Sequence, residues 1–409
     1  MQVDTMRKID YWAGIPLCLV ATVLVKLRDW LTRDRSGPPR NVLFIELSEM
    51  GSTILVDPAM RKLKRETGAS LHFAIFGKNK PSLDLLATVP PENIFTIRED
   101  GLLPLATDTL RFLAWTRRRR IDTVVDLELF SRFTALLTGL SGAGRRVGFH
   151  AFFNEGLYRG AMLTHRVAYN PHLHIGKNFV ALIDALTAAR PERPYAKTAI
   201  ADAEIALGKA VVDPAAQAAM RAKIRAQAPA YDPQRQRLVL VNANASDLMP
   251  LRRWAKPNYI ALIRRLLASF PDCFVLLTGA PSERVGLQEI ADAVASEQCA
   301  NFAGLTGFDE LVPLYSISEL MLTNDSGPAH FAAVTDMPTY VFFGPETPRL
   351  YGSLGRTTPI YAGLACSPCV SAANHRKSPC DDNVCLQVIT PEQVFELLSP
   401  ALECSRFGA

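Results

Sequence analysis

Along most of the chain, short unbroken apolar runs alternate with longer stretches in which apolar residues recur every three or four positions. Val42-Leu-Phe-Ile-Glu46-Leu47 is such a run; apolar except for one glutamate and bounded by turn residues, it reads as a strand buried on both faces. Similar runs stand at 71–76, 94–97, 123–127 and 147–149. Between them lie a helix running to Arg65, with Ile54, Leu55, Ala59 and Leu63 inward, and helical patterns at 81–88, 104–118 and 130–140. Strands separated by helices predict βαβ units and a parallel sheet. A further helix is expected at 171–189, a break at 190–194, and helical cover at 201–227, with Tyr231-Asp-Pro-Gln234 joining the domains.

The second half repeats this architecture without repeating its sequence. Strands are expected at 238–242, 274–278, 320–323 and 339–343, and helices at 257–270, 282–295 and 309–316. Another helix starts at Pro328, where a missing N–H costs nothing. A final helix at 391–404 is expected to pack back toward the first domain. The pattern therefore predicts an α/β protein of two doubly wound, Rossmann-like domains facing a cleft, with the ligand where the domains meet. The segments are an N-terminal piece and linker (1–40), a first domain (41–195), a second domain (196–390) and the C-terminal helix (391–409).

Composition agrees: 409 residues, 48% hydrophobic and 21% charged, describe a globular chain long enough for two cores. The net charge of +5 is mild, and the one compact basic run, Arg117 to Arg120, has no interleaved aromatics, so no nucleic-acid partner is expected. Residues 11–25 are uncharged and mostly apolar, too short to span a bilayer and lacking a cleavage site. Tyr11, Trp12 and Trp30, with flanking Lys26 and Arg28, suit a helix lying at a membrane interface; the other reading is a helix packed on the protein's own core.

The chemistry concentrates in Asn324-Asp325-Ser326-Gly327-Pro328-Ala-His330, where an apolar strand runs through a polar turn into a helix. Asp325 or Ser326 can cap that helix, Gly327 lets backbone approach a ligand, and the helix start suits a diphosphate. Without other information a plain capped turn serves equally well. Phe343-Gly344-Pro345 ends the next strand at the same edge. Cys366, Cys369, Cys380 and Cys385 are spaced closely enough to hold a structural zinc, a reduced or disulfide-bonded loop being the alternative. Cys18, Cys273, Cys299 and Cys404 read as apolar fillers. His72, His150, His165, His172 and His174 show no metal-ligand spacing.

These motifs, taken in order, resemble glycosyltransferase family 9, the ADP-heptose:lipopolysaccharide heptosyltransferase family. The likeness rests on Leu47-Ser48-Glu49-Met50-Gly51, Asn242-Ala-Asn244-Ala-Ser246 with Arg252-Arg253-Trp254, and Thr278-Gly279-Ala-Pro-Ser-Glu283. Gly304-Leu-Thr306, Asn324 to His330 and Phe343-Gly344-Pro345 complete it, and the resemblance covers most of the chain from Asn41 to Glu403. The resemblance implies a GT-B arrangement and an inverting, metal-independent transferase that needs no cofactor for catalysis. Its donor would be a nucleotide sugar such as ADP-heptose and its acceptor a lipopolysaccharide-type or other lipid-linked glycan. Such an enzyme would sit at the inner, cytoplasmic face of the cytoplasmic membrane as a peripheral protein.

Two positions depart from the family pattern. Ser52 stands where an aspartate usually follows the first-loop glycine as general base, and Arg252 replaces a lysine two residues before Trp254. Arginine can still grip phosphate oxygens, but serine is no base near neutral pH. Either Glu49 or Glu46 then takes the role, and alternation along the strand puts Glu46 on an inward face, which favours Glu49. The remaining implied roles are Arg252 and the backbone of Ser326 and Gly327 on the diphosphate, Asp325 on the donor sugar, and Thr278 with Glu283 near the nucleoside. Ser52, Asn244, Gly279, Asn324, Pro328 and His330 complete the donor site. The rival reading is a sugar-nucleotide-binding protein without transferase activity; an epimerase of the same fold matches the ordered motifs less well.

Overall fold

The computed structural model describes residues 3–32, 37–153, 156–189, 196–246, 249–371, 374 and 376–404. The expected break at 190–194, Ser36 of the first linker and the side chain of Cys404 lie outside the described residues. The chain forms two compact units: 1–206 with 372–376, and 207–371 with 377–409.

The first unit is a six-stranded parallel sheet of β1 (Asn41–Ile45), β2 (Ser70–Phe76), β3 (Ile94–Ile97), β4 (Thr123–Asp126), β5 (Arg145–Phe149) and β6 (His165–Val167), ordered β3-β2-β1-β4-β5-β6. Central β1 is buried from Val42 to Ile45, so both its faces exclude water, as its apolar run requires. The helix expected to run to Arg65 is broken at Val56 into Met50–Leu55 and Asp57–Thr67, because Pro58 lacks the N–H that a continuous helix would use. It ends at Gly68, whose φ of 69° is the left-handed cap that glycine tolerates.

The N-terminal segment is an elbow of two helices, Val3–Trp12 and Gly14–Leu31, bent by 45°. Its second helix buries Cys18, Ala21 and Val25 against Ala135 and Met162 of the first unit. Asp10 accepts hydrogen bonds from the backbone N–H of Arg132 at 2.8 Å and of Phe133 at 3.1 Å and pairs with the Arg132 guanidinium at 3.0 Å. Asp29 pairs with fully buried Arg146. Gly160, at φ 76°, lets the helix come close: a Cβ there would lie 2.6 Å from Thr22 Oγ1. The opposite face exposes Leu17, Val20, Leu24, Leu27, Trp30 and Leu31. The segment thus packs on the protein's own core through one face only. No single helix among the described residues is long and apolar enough to cross a membrane, though the bent pair together could be.

The second unit repeats the winding with β7 (Arg237–Asn242), β8 (Cys273–Leu277), β9 (Cys299–Asn301), β10 (Ser318–Asn324), β11 (Thr339–Phe343) and β12 (Thr357–Tyr361), ordered β12-β11-β10-β7-β8-β9. Both sheets therefore read 3-2-1-4-5-6 in their own strand order, and each reverses direction between its first and fourth strands. The C-terminal helix Pro391–Cys404 corrects an expectation. It does not cross to the first domain: Val394, Leu398 and Leu402 join the core of the second unit beside Leu262, Ile263 and Leu266. Its apolar stripe finds a complementary face on the neighbouring helix, and Arg265 lies 4.3 Å over the Phe395 ring.

Candidate functional site

In a doubly wound sheet the ligand crevice opens at the carboxyl ends of the strands that flank the reversal. In the second unit those strands are β7 and β10, and Asn324 at the end of β10 is wholly buried. Its Oδ1 accepts from the Trp254 backbone N–H at 3.0 Å and from Tyr259 Oη at 3.1 Å, while its Nδ2 donates to the Asn244 carbonyl at 3.2 Å. One side chain thereby joins the loops after β7 and β10. Asn242 does the same toward β8, donating to the Thr278 carbonyl at 3.0 Å. Asn324 was expected to bind the donor; instead its polar atoms are spent on neighbouring loops, so its role is to shape the crevice.

Beside this clamp Asp325 and Glu346, 5% and 1% exposed, flank the Arg252 guanidinium at 3.3 and 3.8 Å. The 3.3 Å approach is an ion pair without hydrogen-bond alignment. Glu346 was missed in the sequence although it follows Phe343-Gly344-Pro345, the turn already assigned to this edge.

The backbone of Ser326, Gly327 and Pro328 lies at a partly exposed position, where approach by a ligand is possible. The helix they start, Gly327–Ala332, has no side-chain cap: Ser326 Oγ donates instead to the Asn324 carbonyl at 3.1 Å, correcting the capping expected of Asp325 or Ser326. His330 is buried. Thr278 and Gly279 are half-buried after β8. Glu283 accepts from the Ala280 N–H at 2.7 Å, closing a local turn. Asn244 contributes its carbonyl to the clamp.

At the matching edge of the first unit, β1 and β4 bring together carboxylates that the sequence separates by about eighty positions. Glu46 and Glu128 are 4% and 6% exposed and touch each other. Glu128 Oε1 accepts from Ser48 Oγ at 3.0 Å and from the Leu47 N–H at 3.3 Å, and Ser48 itself is exposed. Asp126 pairs with Arg159 at 2.6 Å. Burial, then the nearby Glu128 and Glu49, push the Glu46 carboxyl well above the ordinary glutamate range; burial also raises Glu128 and Asp126. Glu49, the expected base, forms an ion pair with Arg376 and accepts from Ser52 Oγ at 3.1 Å. Ser52, expected to touch the donor, is buried with its hydroxyl committed to that bond.

The four cysteines do not converge. Cys366 is exposed, Cys369 and Cys380 are partly exposed and Cys385 is buried, and among the described residues no three metal-ligating side chains share one coordination sphere. Cys380 Sγ lies 3.3 Å from Asp382 and Ser378 Oγ 3.1 Å from Cys369 Sγ. The thiols are nonetheless near neighbours, since after burial the nearby Cys369, Cys380 and Cys366 raise the Cys385 thiol.

Comparison with solved structures places this architecture. The E. coli ADP-heptose lipopolysaccharide heptosyltransferase II superposes with a TM-score of 0.68 at 20% identity, over 90% of this chain and 99% of that one. A family 9 glycosyl transferase from Veillonella parvula superposes at 0.69 and 14%, over 89% and 97%. Two doubly wound parallel sheets with these neighbours define a GT-B-type protein. The chain belongs to glycosyltransferase family 9 (heptosyltransferase), whose pattern matches residues 117–378. Among curated relatives, lipopolysaccharide heptosyltransferase 2 of Salmonella typhimurium is 34% identical over 106 residues, 25% of this chain and 30% of that protein. The lipooligosaccharide heptosyltransferase 2 of Haemophilus influenzae is 30% identical over 141 residues, 34% and 39%. The aligned stretches thus span only about a third of these relatives.

Proposed function

We propose that this protein is an inverting glycosyltransferase that moves a heptose or similar sugar from an ADP-heptose-like donor to a lipopolysaccharide-core or other lipid-linked acceptor, without a metal in the chemical step. The second unit serves the donor and the first the acceptor. The observation that carries the reading is the crevice at β7 and β10, where Asn324 locks two loops around Arg252, Asp325 and Glu346. There Asp325 suits the hydroxyls of a sugar, and Arg252 with the Ser326–Gly327 backbone suits the departing diphosphate. A carboxylate at the end of the first sheet takes the acceptor proton.

The test is to incubate the full chain with ADP-heptose and lipopolysaccharide core oligosaccharide and follow ADP release. Donor binding is measured separately by thermal shift, where about 100 times the dissociation constant should stabilise by about 2.7 kcal/mol. Binding without ADP release would favour the second reading, a non-catalytic sugar-nucleotide binder, which Ser52 in place of the usual aspartate supports.

The exposed row from Leu17 to Leu31 supports peripheral contact with the inner face of the cytoplasmic membrane, the helix lying in the interface plane because its other face is fastened to the first unit. A structural zinc in the four-cysteine loop is proposed on the proximity of its thiols alone; it requires the loop to draw Cys366 and Cys380 inward, and metal analysis of the purified protein tests it.

A further inference from the structure

The departure at Ser52 leaves a chemical gap at the first sheet, and a different pair of residues is built to fill it. Glu49 is already engaged, paired with Arg376 and accepting from Ser52 Oγ at 3.1 Å. Glu128 is differently held. Arg159 is engaged with Asp126 and with the Glu128 backbone carbonyl, leaving the Glu128 carboxylate to Ser48, the Leu47 N–H and Glu46.

We infer that Ser48 and Glu128 form a two-step proton path in which exposed Ser48 meets the acceptor hydroxyl and buried Glu128 receives the proton, a reading that rests on the transferase activity proposed above. Ser48 Oγ already donates to Glu128 Oε1 at 3.0 Å, so the second bond of the path is in place. The acceptor oxygen attacks the anomeric carbon as the carbon–oxygen bond to the diphosphate breaks, its electron pair leaving with the nucleotide. The acceptor proton passes to Ser48 Oγ as Ser48's own proton passes to Glu128. The products are the glycoside, the nucleoside diphosphate and a protonated Glu128, which later returns its proton to water.

Glu46 makes this energetically sensible. It is hydrogen-bonded to Glu128, and burial followed by the nearby Glu128 and Glu49 raises its carboxyl well above the ordinary glutamate range, which suits Glu46 to hold a proton and donate it toward Glu128. With Glu46 as the proton-bearing member, proton uptake by Glu128 would remove the pair's charge. In a desolvated place, discharge favours proton uptake. The charged groups around the pair are Glu49 with Arg376 and Asp126 with Arg159, each already matched in sign.

The experiment uses the full chain with ADP-heptose and lipopolysaccharide core oligosaccharide. Glu128→Gln and Ser48→Ala should each lower kcat by about 100- to 10,000-fold with donor affinity unchanged, whereas Glu49→Gln should lower it less than about tenfold. Ser48 is exposed, so Ser48→Ala keeps the test open if Glu128→Gln folds badly. The acid limb of kcat/KM, which rises as the base loses its proton, should move to higher pH in Glu46→Leu, which removes the donor to Glu128. In Glu46→Gln, which keeps a donor, it should stay near the wild-type position. Wild-type turnover in Glu128→Gln and Ser48→Ala, with turnover lost in Glu49→Gln, overturns this path and leaves the transferase reading standing. A wild-type chain that binds ADP-heptose and never transfers it overturns both.

Discussion

At the ends of β1 and β4 the chain gathers Glu46, Glu49, Asp126 and Glu128 around Arg159 and Arg376. At the ends of β7 and β10, the same places in the second sheet, it puts Asn242 and Asn324, whose amides tie loops together, and a single guanidinium between Asp325 and Glu346. The winding is shared, so the fold presents a crevice twice; only the side chains decide what each does. Amides give directional bonds at no cost in buried charge and suit a rigid cradle. Carboxyls gathered in a desolvated place resist ionising together, and burial raises Glu46, Glu128 and Asp126 above the ordinary carboxylate range.

The largest effect expected is at the clamp. Asn324→Ala leaves the Trp254 N–H, Tyr259 O–H and Asn244 carbonyl without their partner, each worth about 1–3 kcal/mol when buried. It should lower the melting temperature and abolish donor binding together. Asp325→Ala should abolish turnover, read in an ADP-release assay beside circular dichroism to check that the fold survives. Arg252→Ala should weaken donor binding by about 1.5–3 kcal/mol, read by calorimetry, and Arg252→Lys should recover part of it.

The first crevice answers to pH instead. Glu46 and Glu128 have folded-state affinities for protons raised above the ordinary value of 4.5, so their contribution to stability is fully present below that pH and is lost as pH rises toward the raised values. Denaturant titration at pH 4 and pH 8 should show the wild type losing more stability between them than Glu128→Gln, by on the order of 1 kcal/mol. The smallest effect on folding is expected for Leu24→Glu with Trp30→Glu, within about 0.5 kcal/mol because both side chains are exposed. Flotation with anionic vesicles should nonetheless fall, if the apolar row meets lipid.

The central strands were readable because a strand covered on both faces must be apolar throughout, as β1 and β8 are. The edge strands β6, β9 and β12 were missed: His165–Val167, Cys299–Asn301 and Thr357–Tyr361 are short and partly exposed, so no apolar run marks them. The loop that begins at Asn324 stood out in the sequence, but that its amide bonds to neighbouring loops did not, since a sequence does not reveal which way an amide faces. Glu128 escaped for a topological reason. Nothing local joins it to Glu46; they meet because β4 lies beside β1, which strand order alone decides. Truncating residues 1–36 should strip Asp29 from buried Arg146 and cost about 3–5 kcal/mol, read by denaturant titration.

That fastening has a further consequence. Asp10 and Asp29 fix the elbow of N-terminal helices to the same body that carries β1 and β4, so its greasy side is no floating tail. A bilayer seated on that side would set the height and tilt of the first crevice, leaving neither to the reach of a linker. Any ligand reaching that crevice from the bilayer would then be met at one fixed altitude.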